Sequence, residues 1–196
     1  MKKIKALFIL LVLSSLILTG CTAIKNAVTA KTPHLADPYS CNFTINAFGD
    51  MEVQGTLSRY GGGLWNVEIT APETMAGMNF SRNDTGMKLS LGELKLEIEQ
   101  EKINRGAVTE LIFSAIDDCA ALQELSLNEA EDGLEYIGKA ADCAYVMIFN
   151  RDTLELERLS FPALEITAFF SGYTPLSAST DETASPSETT VTVTSE

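Results

Sequence analysis

Four cysteines, one histidine and a surplus of carboxylates are the side chains of this 196-residue chain that could do chemistry. The histidine is His34, and it is the only one. A Ser-His-Asp relay and most zinc sites need imidazole held by a folded scaffold. His34 lies in a segment with no sustained apolar period, so neither is expected. No serine sits in a G-x-S-x-G turn. Asn128, Glu129, Glu131, Asp132 and Glu135 crowd together, but they lack the D-x-D-x-D-G spacing that wraps calcium. A solvated turn is the expectation there. Asp117-Asp118 falls in the C-terminal half of a helical stretch and reads as surface. No catalytic residue, metal ligand or cofactor is therefore expected, and the chain is not read as an enzyme.

Cys21 stands in a different context. Lys2, Lys3 and Lys5 form a basic start, and Ala6 to Leu18 is a 13-residue apolar run broken only by Ser14 and Ser15. A membrane-spanning helix needs about 20 apolar residues, so the run suits a secretory signal instead. Leu18-Thr19-Gly20-Cys21 follows, and this tetrapeptide resembles the bacterial lipobox. Its small residues let the backbone enter a peptidase cleft, and its thiol accepts a diacylglycerol. The expectation is a signal peptide over 1–20, cleavage between Gly20 and Cys21, and acyl chains such as palmitate on Cys21. One acyl chain binds a bilayer marginally, whereas two or three anchor a protein stably. The expected location is the extracytoplasmic face of the cell membrane.

Without residues 1–20 the chain has 11 basic and 27 acidic side chains, a net charge of −16. Such a surface repels phosphate backbones, which excludes nucleic acid as a partner. Cys41, Cys119 and Cys143 remain, an odd number for a disulfide framework. Each falls on an apolar-periodic position. Buried free thiols are one reading, and a single Cys119–Cys143 disulfide is the other.

Residues 21–39 read as the lipidated cysteine and a tether. Residues 175–196 hold eleven Ser or Thr and four acids among 22 positions, too little apolar surface to offset ordering entropy. They are expected to be a disordered tail. Between them, 40–174 is dominated by period two. Cys41, Phe43, Ile45 and Ala47 alternate with polar residues, as do Met51, Val53, Gly55 and Leu57, then Trp65, Val67 and Ile69. The pattern returns at Met87 to Leu91, Leu94 to Ile98, Leu134 to Gly138, Leu154 to Glu157 and Leu164 to Phe170. Residues 143–149 are apolar on both faces, which marks a central strand. Each alternating run sends one row of side chains into a core and the other into water. Val108, Leu111, Ile112, Ala115 and Cys119 recur instead at helical spacing, which predicts a helix over 106–121 with Asn104 near its start. The fold class is mainly β (α+β). A single antiparallel sheet of about nine to ten strands curls around one main helix.

This order of elements resembles the LolA/LolB-like superfamily of extracytoplasmic lipoproteins over about residues 40–172. The resemblance rests on the meander, on Ala71-Pro72 followed by Met75-Ala76-Gly77-Met78-Asn79-Phe80, and on the late hairpin around Asn150-Arg151-Asp152-Thr153. It implies a half-barrel with helix on its concave face and an apolar cavity that could take acyl chains. Two departures stand out. The carriers of the superfamily have a longer helical lid. Their gating arginine has no assignable counterpart, although Arg59 follows an apolar strand face.

Pro72 to Phe80 has two readings. It is a methionine-rich flap at a cavity mouth, or it fills the core where the chain crosses the sheet end; the second is the simpler. On the first, Trp65, Met75, Met78 and Phe80 line the site of an apolar or lipid ligand. Two functions follow for this membrane-anchored lipoprotein: binding such a ligand in the half-barrel, or acting as a structural or protein-interaction lipoprotein with a filled core. The anchor has a direct test. Cys21→Ser should release the protein from membranes, and protein that still pellets with them after a carbonate wash would refute the lipidation.

Overall fold

The computed structural model describes residues 29–31, 33–104 and 106–177. The signal segment, Cys21 and the end of the tail lie outside them. Twelve strands run in chain order: β1 (Thr29–Lys31), β2 (Tyr39–Ala47), β3 (Met51–Gly61), β4 (Leu64–Ala71), β5 (Asn79–Asn83), β6 (Gly86–Leu91), β7 (Leu94–Glu99), β8 (Leu125–Ala130), β9 (Gly133–Ala140), β10 (Cys143–Phe149), β11 (Leu156–Phe161) and β12 (Ile166–Pro175). One helix, α1 (Val108–Ala120), stands between β7 and β8. The strands form one sheet in the order β1-β8-β9-β10-β11-β12-β2-β3-β4-β5-β6-β7. Every neighbouring pair is antiparallel. The sheet is curved and open, as the period-two runs and the single helical stripe predict.

The strand count exceeds the expected nine or ten by β1, β5 and β8, none of which shows the expected alternation. β1 is only three residues long, and it pairs with Leu125–Leu127 from within the stretch expected to be tether. β5 places Arg82 on the same face as the core, so its polarity does not alternate. β8 has Leu125 and Leu127 buried but runs into Asn128 and Glu129, so the acidic run is half strand and only Glu131-Asp132 turns. Arg158 binds Asp132 and Arg151 reaches Glu129, which neutralises part of that turn.

The chain leaves β7 at one sheet edge and re-enters at β8 near the other, and α1 makes that crossing. Its 13 residues span about 20 Å at 1.5 Å per residue. Glu110, Leu111, Ile112, Phe113, Ala115, Ile116 and Cys119 are all buried, so the sheet surrounds the helix on more than one side. The helix starts at Val108 with Ala107 as N-cap. Asn104 lies in the preceding turn, where its side chain accepts from the Gly106 amide. The core continues through Tyr145, Met147, Phe149, Leu156, Leu159 and Phe161. β10, apolar on both faces, lies between β9 and β11 as a strand with those faces must. At Gly138 a Cβ would come within 2.3 Å of the Tyr145 ring, so glycine lets that ring lie across the neighbouring strand.

Cys41, Cys119 and Cys143 are free thiols. Burial pushes the Cys41 thiol up from 9.0 to about 12, with the neighbouring Tyr173 side chain opposing it. Burial pushes Cys119 up to about 12 as well, aided by Asp118. Burial also raises the phenols of Tyr39, Tyr145 and Tyr173 above their ordinary 10.0. A raised folded-state value makes the neutral form part of the fold. Its stabilisation is fully present below the unfolded value and is lost as pH climbs toward the folded one. The melting temperature should therefore hold to about pH 9 and fall steadily toward pH 12; circular dichroism melts that stay level across that window would contradict the burial. At pH 8 a thiol with a pKa of about 12 is thiolate in roughly one molecule in 10⁴, so Cys41 and Cys119 should resist alkylation until the domain unfolds.

Candidate functional site

Three places gather functional side chains: a charge cluster under the helix, the methionine loop, and a cleft at one end of the sheet. The cluster begins with register. Tyr39, Arg59, Trp65 and Arg82 are successive cross-strand partners on β2, β3, β4 and β5, so they form one row on the core side. Two arginines facing a core need carboxylates, because an unpaired buried charge costs several kcal/mol. Helix α1 supplies Glu110 and Asp117, seven residues and so two turns apart on one face.

Asp117 takes most of the donors. Its Oδ1 accepts from Arg59 Nε at 3.1 Å and Nη2 at 3.0 Å. Its Oδ2 accepts from Trp65 Nε1 at 2.9 Å, the Gly63 amide at 3.2 Å and Arg82 Nη1 at 3.4 Å. Arg59 is only 3% exposed, and its Nη1 donates to the Ala36 carbonyl at 3.0 Å. Its guanidinium lies 5.5 Å from the Trp65 ring. Arg82 Nη2 donates to Glu110 Oε1 at 3.1 Å, and Ser114 Oγ donates to the same oxygen. Among the described residues, Arg82 Nε and Glu110 Oε2 find no protein partner. Two cations and two anions balance in the cluster. Its chemistry is positional: it fixes the helix on the sheet.

Asp117 is thus no surface residue, contrary to the reading of Asp117-Asp118. Only Asp118 is exposed. The pairing could have been seen in the sequence, since a carboxylate two turns from Glu110 on an apolar helix implies buried bases on the sheet. Trp65 also differs from expectation. It is 2% exposed and stacks on Phe113 with centroids 4.7 Å apart, so it lies under the helix and not at a cavity mouth.

Met75, Met78 and Phe80 are half-buried and pack against the core. Their loop closes on β4: the Gly77 amide donates to the Ile69 carbonyl, and the Ile69 amide donates to the Met78 carbonyl, both at 2.9 Å. Gly77 adopts φ +81°, a left-handed geometry that suits glycine there. The gap beside the helix bounded by Phe43, Leu57, Val67, Ile112 and Phe170 is about 20 Å³.

A larger opening lies elsewhere. A cleft of about 470 Å³ lies between residues 34–39, the turn 153–156 and the end of β12. Leu35, Tyr39, Leu154, Leu156, Tyr173 and Leu176 form its apolar wall. The Tyr39 and Tyr173 rings meet at 5.2 Å, and Tyr173 Oη donates to the Leu156 carbonyl at 2.8 Å. His34, Asp37 and Glu155 also line it, with His34 Nδ1 3.2 Å from Asp37. Among the described residues no cluster of His, Cys, Asp and Glu could hold a metal, and no helix is long and apolar enough to cross a membrane.

No protein-family model matches the chain, and no match is found among curated proteins. Among solved structures it is similar to an uncharacterized conserved protein from Thermus thermophilus, with 10% identity and a TM-score of 0.47 over 72% of this chain and 80% of that one. It is also similar to the LolA superfamily protein NE2245 from Nitrosomonas europaea, with 11% identity and a TM-score of 0.40 over 74% of this chain and 89% of that one. Likeness at this level assigns no family and no activity.

The cluster has a measurable weight. Asp117→Ala leaves Arg59 buried without a carboxylate, and breaking a buried pair in this way costs about 3–5 kcal/mol. Urea unfolding should show a loss of that order, with Asp118→Ala as a neutral control. A loss below about 1 kcal/mol for Asp117→Ala would show that the helix does not depend on the cluster.

Proposed function

We propose that the chain is an extracytoplasmic lipoprotein held on its membrane through Cys21, whose domain works by contact with other proteins of the cell envelope. It neither carries out chemistry nor carries lipid beneath its helix. The observation behind this reading is how little space is left beside the helix on the concave face. A space of about 20 Å³ holds roughly one water molecule, and no acyl chain. Buried Leu111, Ile112, Phe113 and Ile116 take the place that a ligand would have in an open half-barrel.

A second reading is favoured by the cleft. Its 470 Å³ falls within the roughly 300–1,000 Å³ of small-molecule sites, and its wall is apolar with a few polar groups at hand. Asp37 and Glu155 would repel a fatty-acid carboxylate, so a neutral or cationic amphiphile fits better. This moves the expected apolar ligand away from Trp65, Met75, Met78 and Phe80.

Titration of residues 22–196 with a neutral, pyrene-labelled acylglycerol separates the readings. The contact reading expects no saturable binding up to about 100 µM, a weak limit for a formed pocket. Saturable binding lost in Leu154→Asp, with Met78→Asp unaffected, would favour the cleft. Binding lost instead in Ile45→Asp would put the ligand on the concave face and overturn both.

A further inference from the structure

β7 is an edge strand, the last in the sheet order, and every one of its residues except Ile98 is exposed. Leu94 is 72% exposed and Leu96 53%. Register explains why these leucines exist. Leu57, Val67, Phe80, Leu89 and Leu96 are successive partners across β3, β4, β5, β6 and β7. They make one apolar row on the core side. Leu57 and Val67 are covered, Phe80 and Leu89 half-covered, and Leu96 is open. Among the described residues, nothing covers the last part of this row. A long apolar edge strand with free backbone groups is a template for another strand.

The other face of β7 shows which strand fits. It carries Lys95, Glu97 and Glu99. Lys88 of β6 binds Glu97 at 3.0 Å, while no carboxylate among the described residues forms an ion pair with Lys95. Suppose a second β7 pairs antiparallel with its two-fold axis at Leu96. Leu96 then faces Leu96, Leu94 faces Ile98, and Lys95 faces Glu97 on both sides of the axis. The outer face reads Lys88, Glu97, and Lys95 of the second copy, with alternating charge. The inner face joins Phe80, Leu89 and Leu96 to the same three residues of the second copy. Moving the axis to Glu97 sets Glu97 against itself, and moving it to Lys95 sets Lys95 against itself. An axis between residues would put leucines opposite charges and flip the faces. Like charges directly opposite destabilise a strand pair, which counts against the axes at Glu97 and Lys95, and the axis at Leu96 is the one that pairs Leu94 through Ile98 within the strand.

We propose that the β7 edge is a self-pairing interface, joining two copies of this chain in one continuous antiparallel sheet through Leu94, Lys95, Leu96, Glu97 and Ile98. The contact is isologous, as a two-fold dimer requires. It holds whether or not Cys21 carries lipid.

Sedimentation velocity on residues 21–196 carrying Cys21→Ser tests it. The expected result is a monomer–dimer equilibrium within about 1–100 µM, the range of a small interface. Leu96→Asp should give monomer only. Lys95→Glu alone should do so by placing Glu against Glu, and Glu97→Lys alone by placing Lys against Lys. An equimolar mixture of those two single variants restores both opposite-charge contacts and should dimerise again. The positions are exposed, and unchanged circular dichroism confirms folding of each variant. A wild-type chain that stays monomeric through this range overturns the proposal. So does a dimer that survives Leu96→Asp, or a mixture of charge variants that stays monomeric.

Discussion

One carboxylate, Asp117, sets how the helix sits in the sheet. It collects five donors from three strands and the β3–β4 turn: two from Arg59, and one each from Trp65, Gly63 and Arg82. Apolar packing alone would let a helix slide or roll in a curved trough, because dispersion has little direction. Hydrogen bonds to a charged group have direction and reach only about 3 Å. The cluster therefore fixes the helix along its axis, and Trp65 stacked on Phe113 fixes its rotation. The remaining packing follows: Ile112 over Phe43 and Leu57, and Ala115 within reach of the Tyr145 hydroxyl.

That placement divides the sheet. The helix covers the core-side rows from β9 around to β4, while coverage fades along β5 and β6 and ends at β7. A longer helix or a second one would have covered the apolar row out to Leu96. With a single helix of 13 residues, the middle of the trough is filled and one wing is left bare. The filled middle and the bare wing are two results of the same geometry.

The strands visible in the sequence are those with one dry and one wet face. β2, β3 and β4 alternate because water lies outside and the helix inside. The helix is visible through Val108, Leu111, Ile112, Ala115 and Cys119, the first half-buried and the rest covered. What escapes has a common cause. Arg82 and Arg59 are charged residues on the core side, and pattern reading assigns charge to water. β5 shows no alternation on account of Arg82, and Asp117 reads as surface on account of its charge. β1 is three residues long and pairs with Leu125–Leu127, far away in the chain, which no local period encodes, and β8 loses its alternation at Asn128 and Glu129. The cleft is built from 34–39, 153–156 and the end of β12, three segments that no spacing rule brings together.

The pairing of Thr29–Lys31 with Leu125–Leu127 bears on where the domain can go. A free spacer from Cys21 to Tyr39 would be a leash of about 63 Å, at ~3.5 Å per residue. With β1 stitched to the sheet, only the eight steps from Cys21 to Thr29 remain, about 28 Å. With the anchor proposed at Cys21, the volume open to the domain shrinks by roughly tenfold, and its effective concentration near the bilayer rises to match. Copies so anchored would meet by lateral diffusion in two dimensions. A strand-edge contact that needs micromolar protein in free solution would then form on the membrane from far fewer copies.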